Sequence, residues 1–335
     1  MKVVTGSSDL SKVKKLTSIG FGTWAWGNKI LWGYLPDEKD YLLRNTFNEA
    51  IDQGLNFIDT ADSYGTGSLN GCSEKLLGKF LRKLPSSKCK NLIIATKLAP
   101  YPWRLGRQAF KAAFHASKER LQGKLDRAQL HWSTSRYAPW QEVQLIDGLA
   151  DLYESGALPQ IGISNMGPNR LRWFYNRLKM RGIPLKSLQI QFSLLSPNPN
   201  KHLRVKEVCK ELDIELLAYS PLALGLLAIP PDKDKVIGKT FLRGNIFRRL
   251  LPASMEIRKE LNKIALDHEA SQAQVALNWC RAHDAIPIAG LRNPKHATDA
   301  GKATQWKLNR KEKDVLDELS KQCNIRMPDN PFQSD

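Results

Sequence analysis

The sequence predicts an α/β fold: a closed (β/α)8 barrel of the TIM type, with long loops at the C-terminal ends of its strands and a helix at the end of the chain. Three observations carry this expectation. Short apolar runs alternate with amphipathic segments of helical period, the strand-then-helix unit recurs about every 30 residues, and eight such units fit within the 335 residues. An open doubly wound sheet that binds a dinucleotide usually carries G-x-G-x-x-G after its first strand. Here Gly20-Phe21-Gly22-Thr23-Trp24-Ala25 lacks the third glycine.

The strand-like runs are SIGFG (18–22), LNFID (55–59), LIIATK (92–97), AQLHW (128–132), QIGIS (160–164), SLQIQF (187–192), IELLAYS (214–220) and AIPIAG (285–290). Each is short, aliphatic and bounded by glycine, proline or polar residues, as in parallel strands covered on both faces. Helical period is expected over 41–53, 73–84, 108–121, 141–155, 169–181, 203–212, 255–268, 272–283, 294–300 and 309–322. Glycines at 54, 156 and 182 stop three of these segments, and Ser271 is placed to cap another. The segment 221–252 breaks the rhythm and reads as one long connection after the seventh strand; connections of that length usually carry function. Residues 1–335 are expected to form one domain with its core at about 16–322.

Composition narrows the function classes. Lys and Arg number 51 against 33 Asp and Glu, a net charge of +18. The basic residues are spread along the chain, with no basic tail and no Lys/Arg tract interleaved with aromatics, so no specific nucleic-acid partner is expected. A solvated basic surface is the favoured reading. The five cysteines are scattered without C-x-x-C spacing, which supports neither a zinc site nor a disulfide framework; no metal is expected. Residues 1–10 are polar, with neither the apolar run of a secretory signal nor an Arg-rich amphipathic stretch. With no apolar run near bilayer length, a cytoplasmic protein without a membrane partner is expected, acting as a monomer.

Four polar residues stand at or just beyond successive strand ends, where a barrel gathers side chains into one mouth: Asp59, Tyr64, Lys97 and His131. Reducing a carbonyl requires a proton on oxygen as hydride reaches carbon. Tyrosine alone is a poor acid, with a pKa of about 10; a nearby ammonium lowers it, and an aspartate holds that ammonium charged and oriented. A neutral histidine orients the carbonyl. Singly, each residue type at such a position is more often structural; their joint appearance makes a consistent acid system.

The blocks GFGTW (20–24), GLNFIDTADSYG (54–65), IATK (94–97), LHW (130–132), GISN (162–165), QIQFS (189–193) and AYSPL (218–222) follow in the order and spacing of the aldo-keto reductase family. The chain resembles that family over about residues 16–305. The resemblance implies Tyr64 as general acid, Lys97 and Asp59 as its tuning pair and His131 as substrate orienter. It also implies a nicotinamide site in which Ser164, Asn165 and Gln191 bind the carboxamide and Tyr219 stacks on the ring, leaving the other face open for hydride transfer. Gly22, Thr23 and Trp24 fall on the same cofactor side. Ser220, Pro221, Leu222, Gly225 and Leu226 would pass over the pyrophosphate, where small residues and backbone amides allow close approach.

After the eighth strand, the resemblance places Gly290, Arg292 and His296 at the adenosine end. A bidentate contact from Arg292 to a 2′-phosphate favours NADPH/NADP+ over NADH. Two departures weaken that end. Ala289 stands where the family usually has proline, and Ala300 where an asparagine is expected at the adenine.

Longer stretches, HWSTSRYAPWQEVQLIDGLADLYESG (131–156), QIQFSLLS (189–196), IATKLAPYPWRLGR (94–107) and NWCRAHDAIPIAG (278–290), resemble the plant and cyanobacterial branch that includes pyridoxal reductases. This implies a small carbonyl substrate, pyridoxal being one candidate, reduced to its alcohol. Trp24 and Trp132 are the expected pocket walls; Trp26 and Trp103 read as packing. Arg104 and Arg107 either meet an anionic substrate or lie in a solvated loop, the favoured reading. The alternative function is a catalytically weak NADPH-binding regulatory or scaffold protein on the same barrel, which the complete set of four acid-system residues disfavours.

Overall fold

The computed structural model describes residues 16–36, 38–67, 70–196, 199–233 and 240–334. The polar N-terminal stretch 1–10 therefore lies outside the described residues. All eight expected strands form: β1 (Gly20–Gly22), β2 (Phe57–Asp59), β3 (Ile93–Leu98), β4 (Arg127–Leu130), β5 (Gln160–Ser164), β6 (Leu185–Gln191), β7 (Glu215–Tyr219) and β8 (Ala285–Gly290). They pair in chain order, all parallel, and β8 closes on β1 through Gly20↔Ile288 and Gly22↔Gly290.

Strand alternation divides each sequence run between two environments. Outward residues such as Ile94 and Leu98 of β3 join the large apolar shell between barrel and helices. Inward residues form a separate cluster of Phe57, Ile93, Ala95, Leu217 and Ile288, a plug halfway down the barrel. Below it, Arg127 closes the floor: it pairs with Glu215 at 2.7 Å, forks onto Gln160 Oε1 at 2.9 and 2.6 Å, and lies 5.4 Å from the Phe57 ring centroid. Above it, one step on, the inward positions are Asp59, Lys97, Gln129, Gln189 and Gln191, so the barrel turns polar towards its mouth.

Gly162 of β5 has a steric reason. A Cβ there would come within 2.5 Å of Ser187 Oγ and 2.9 Å of Gln129 Cγ, so only glycine leaves room for the polar layer.

The expected helices all appear, and three more were not foreseen. Lys29–Trp32 and Ser86–Lys90 are one turn each, too short to show a period. Phe241–Ala253 lies inside the stretch read as a loop. Gly244 and Pro252 weaken its helical signal, yet Phe247, Leu250 and Leu251 bury one face and hold it in place. The start of that connection is irregular, with left-handed Ser220, Ala223, Leu224 and Gly225. The last helix, Arg310–Gln322, opens on a capping box of Asn309 and Glu312. Beyond it the chain turns back as a strap over the barrel mouth. Among the described residues, no helix is long and apolar enough to cross a membrane.

Candidate active site

The strand ends bring Asp59, Lys97, Tyr64 and His131 together. Lys97 and Asp59 are 1% and 2% exposed, and the ammonium donates to Asp59 Oδ2 at 2.5 Å and to the Thr60 carbonyl at 2.8 Å. The other carboxylate oxygen accepts from the side-chain amides of Gln129 at 3.1 Å and Gln189 at 2.8 Å. Sequence reasoning missed both glutamines. The available signal was period two: Gln129 precedes His131, and Gln189 precedes Gln191, by two positions on the same strand.

Tyr64 lies against this pair, its ring centroid 4.8 Å from Lys97 Nζ. His131 is its neighbour, with ring centroids 6.1 Å apart, and Nδ1 of His131 meets Ser63 Oγ at 3.3 Å. Tyr64 and His131 both remain partly exposed at the mouth. Among the described residues, neither the Tyr64 hydroxyl nor His131 Nε2 has a protein hydrogen-bond partner.

The electrostatics correct one expectation. Tyr64 is held well above its ordinary pKa, by burial and then by the Asp59 carboxylate. Burial and Asp59 together outweigh the pull of the Lys97 ammonium on the resting phenol. Lys97 is itself lowered by burial, with Asp59 opposing that loss. His131 is lowered well below the usual histidine range, by burial and then by Lys97. At neutral pH the site therefore presents a protonated phenol and a neutral imidazole, the pair of states that carbonyl protonation and orientation need.

The loops around this centre sort the remaining expectations. Asn165 takes a left-handed φ of 61°, which asparagine tolerates better than most residues, and its amide donates to the His131 carbonyl at 3.0 Å. Tyr219 O–H donates to Asn165 Oδ1 at 2.9 Å. Gln191 makes no protein hydrogen bond through its side chain among the described residues. Ser164 is fully buried, its hydroxyl donated to the Gln189 carbonyl at 3.0 Å. Thr23 offers no side chain to a ligand: it is fully buried and bonded to Ser73 and the Asp59 carbonyl. Leu226 is likewise core, leaving only its backbone for a pyrophosphate.

Arg104 and Arg107 do not project as free cations. Arg104 pairs with the buried Asp62, whose carboxyl burial pushes up to about 6 against the pull of Arg104. Arg107 pairs with Asp147 at 2.7 Å. Trp26 is core, its indole N–H on the Leu291 carbonyl at 2.9 Å, and Trp103 stacks on Tyr101 at the rim. Trp132 packs on His131 with centroids 5.0 Å apart and takes Phe332 of the strap on its other side at 4.4 Å.

A second basic centre lies beyond Trp24. The Trp24 ring meets Trp32 edge-on at 6.1 Å, and two guanidinium groups sit over Trp32: Arg292 at 4.8 Å and Arg243 at 4.9 Å. Among the described residues neither has a carboxylate partner. Arg243 is 8% exposed and, among the described residues, bonded only to the Leu224 carbonyl, at 3.0 Å, with Nε unsatisfied. Burial and Arg292 lower it to about 10, and burial with Arg292 also lowers His296. Two adjacent cations without an anion are the donor set a phosphate needs. Arg243 was missed because it lies in the helix read as loop. At the expected adenine end Asp299 is spent on Ser271 and Gln274, at 2.6 and 2.7 Å, and Ala300 is buried.

Residues 18–321 match the model of the aldo/keto reductase family. The chain belongs to the aldo-keto reductase family. This aldo-keto reductase is 44% identical over 322 residues to a protein of Arabidopsis thaliana named pyridoxal reductase, chloroplastic, a match covering 95% of this chain and 87% of that one. That match bears out the resemblance to the pyridoxal reductase-like branch. It is 29% identical over 307 residues to the aldo-keto reductase YhdN of Bacillus subtilis, covering 87% and 86% of the two chains. Among solved structures, the glycerol dehydrogenase of Gluconobacter oxydans superposes with a TM-score of 0.75 at 24% identity, covering 94% of each chain, a likeness of fold. The protein is thus an oxidoreductase enzyme on a (β/α)8 barrel.

Proposed function

We propose that this reductase transfers hydride from NADPH to a small aldehyde or ketone, with Tyr64 as proton donor. The observation that carries the reading is the buried Lys97–Asp59 ion pair lying directly against the Tyr64 ring, with neutral His131 beside it at the open mouth. The Tyr64 hydroxyl and His131 Nε2 are the two groups left to bind a carbonyl oxygen. As Tyr64 O–H gives up its proton, negative charge grows on the phenol oxygen, and the fixed Lys97 ammonium stabilises it without reorganising. Asp59 holds that ammonium charged, and Gln129 and Gln189 hold Asp59.

When bound, NADPH supplies the hydride. Arg292 and Arg243 would take its phosphates, Asn165 and Gln191 its carboxamide, and Tyr219 its ring. The paired guanidinium groups, without carboxylate partners among the described residues, support NADPH over NADH. Fluorescence titration with both cofactors tests this: NADPH should bind more tightly, and tighter NADH binding would overturn it.

A flat aromatic aldehyde such as pyridoxal is the proposed substrate. The Trp132 surface beside His131 supports it, as does the name of the Arabidopsis relative. The test is a panel of aldehydes with NADPH, read as loss of nicotinamide absorbance. Pyridoxal should be among the best substrates; no turnover with any aldehyde would leave the scaffold reading standing. Tyr64→Phe should keep NADPH affinity while losing most turnover, and a fully active variant would refute the assigned acid.

We also take 1–335 to act as one barrel domain and as a monomer, which sedimentation would check. The cytoplasm is the proposed compartment. Five unpaired thiols fit a reducing environment, and imaging a C-terminal fluorescent fusion separates the cytoplasm from a plastid, the location in the relative's name.

A further inference from the structure

The strap after the last helix reaches the same polar groups that the nicotinamide is proposed to use. Its ends are fixed: Met327 N–H donates to the Leu195 carbonyl, and Ser334 N–H to the Asn165 carbonyl, both at 3.0 Å. Between these points Pro328, Asp329, Pro331 and Phe332 are exposed, while Asn330 turns inward. Asn330 Nδ2 donates to Asn165 Oδ1 and to Tyr219 Oη, each at 2.9 Å. Its own Oδ1 accepts from Phe332 N–H at 3.0 Å, which fixes the amide's orientation.

These bonds saturate Asn165. A carbonyl oxygen has two lone pairs, and Asn165 Oδ1 already accepts from Tyr219 and Asn330. Its Nδ2 has two hydrogens, spent on the His131 carbonyl at 3.0 Å and Ser164 Oγ at 3.2 Å. The incoming nicotinamide bears the same functional group as Asn330, a primary carboxamide. Its NH2 can reach Asn165 Oδ1 only by replacing a donor, and the strap's donor is on the more exposed, less enclosed element.

We propose that Asn330 occupies the nicotinamide subsite of the free protein as a competitor: its side-chain amide holds the acceptor on Asn165 that the nicotinamide carboxamide needs, and the two amides exchange when cofactor binds. This rests on the nicotinamide placement proposed above. The strap thereby sets part of the cofactor's affinity, and its departure carries Phe332 away from Trp132, so the aromatic wall beside His131 changes as the cofactor seats.

The test compares NADP+ with 2′-phospho-ADP-ribose, which keeps every phosphate and lacks only the nicotinamide, on the parent and on Asn330→Ala by calorimetric titration. Removing a competitor worth a typical hydrogen bond should make the variant bind NADP+ about fivefold to tenfold more tightly, with 2′-phospho-ADP-ribose unchanged. Amide exchange at Phe332 and Ser334 in the parent should speed up on saturation with NADP+ and not with the truncated nucleotide. Equal or weaker NADP+ binding by Asn330→Ala, or strap protection that NADP+ leaves untouched, overturns the exchange while leaving the nicotinamide site standing. A parent that binds NADP+ no better than 2′-phospho-ADP-ribose, with Asn165→Ala also without effect, overturns the nicotinamide placement itself.

Discussion

Replacing Asp59 by Asn isolates what the buried ion pair does. The substitution keeps shape and leaves an amide oxygen for Gln129 and Gln189, but it removes the charge that opposes the desolvation of Lys97. With side chains 2% and 3% exposed, solvent does not replace it. Lys97 then loses its proton near neutrality. Holding neutral at pH 7 a lysine that titrates near 10.4 in the unfolded chain costs up to about 4.6 kcal/mol, at about 1.36 kcal/mol per pH unit. This agrees with the roughly 3–5 kcal/mol lost on breaking a buried pair. A chain of 335 residues unfolds with an entropy equivalent to about 0.7 kcal/mol per degree, so Tm should fall by about 4–7 °C at pH 7.

The sign of the pH dependence follows. A lysine depressed in the folded state binds more protons when unfolded, so the variant gains stability as pH rises towards the unfolded pKa. Its deficit against the parent should narrow by up to about 2.7 kcal/mol between pH 7 and 9. Thermal unfolding of both proteins at the two pH values reads this directly. A deficit that is absent at pH 7, or that does not shrink by pH 9, would refute the claim that Asp59 keeps Lys97 charged.

Other expectations follow from the same geometry. Because Tyr64 is raised and His131 lowered, kcat for reduction should be flat from about pH 6 to pH 9; a step near the ordinary histidine value of about 6.5 that disappears in His131→Gln would contradict the neutral imidazole. Gly162→Ala forces a Cβ onto Ser187 and Gln129 and should cost about 1–3 kcal/mol, measured by urea denaturation, with a fall in kcat as Gln129 is pushed from Asp59. Arg243→Met should weaken NADPH and 2′-phospho-ADP-ribose in parallel, since Arg243 lies at the proposed phosphate site; a loss confined to NADPH would move it elsewhere.

The meeting of the four residues proposed as the acid system was readable because each stands at or just past a strand end, and a parallel barrel sends such positions to one mouth whatever the loops do. Their charge states were not. Lys97 could be expected to lower Tyr64 only so long as the burial of both groups and the proximity of Asp59 were ignored. Gln129 and Gln189 were hidden by the same fact: a glutamine in an apolar run carries no mark until the strand beside it supplies the carboxylate. Arg243 was lost for a different reason, because a glycine and a proline in 241–253 erase a helical signal that tertiary burial restores.

The local alternation of apolar runs and amphipathic segments was enough to determine the barrel, since parallel strands covered on both faces leave few other solutions. The order of the polar residues along those runs determined which side chains share the barrel mouth. Tertiary structure alone decided which polar groups were spent and which were free. Thr23, Ser164 and Arg104 are consumed by protein partners, whereas Arg243 and Arg292 both lie over Trp32 without an acidic partner among the described residues. It also decided that Asn330, 165 positions from Asn165, closes over it. Hydrogen-bond satisfaction is settled by neighbours in space, and the chain states only its neighbours in line.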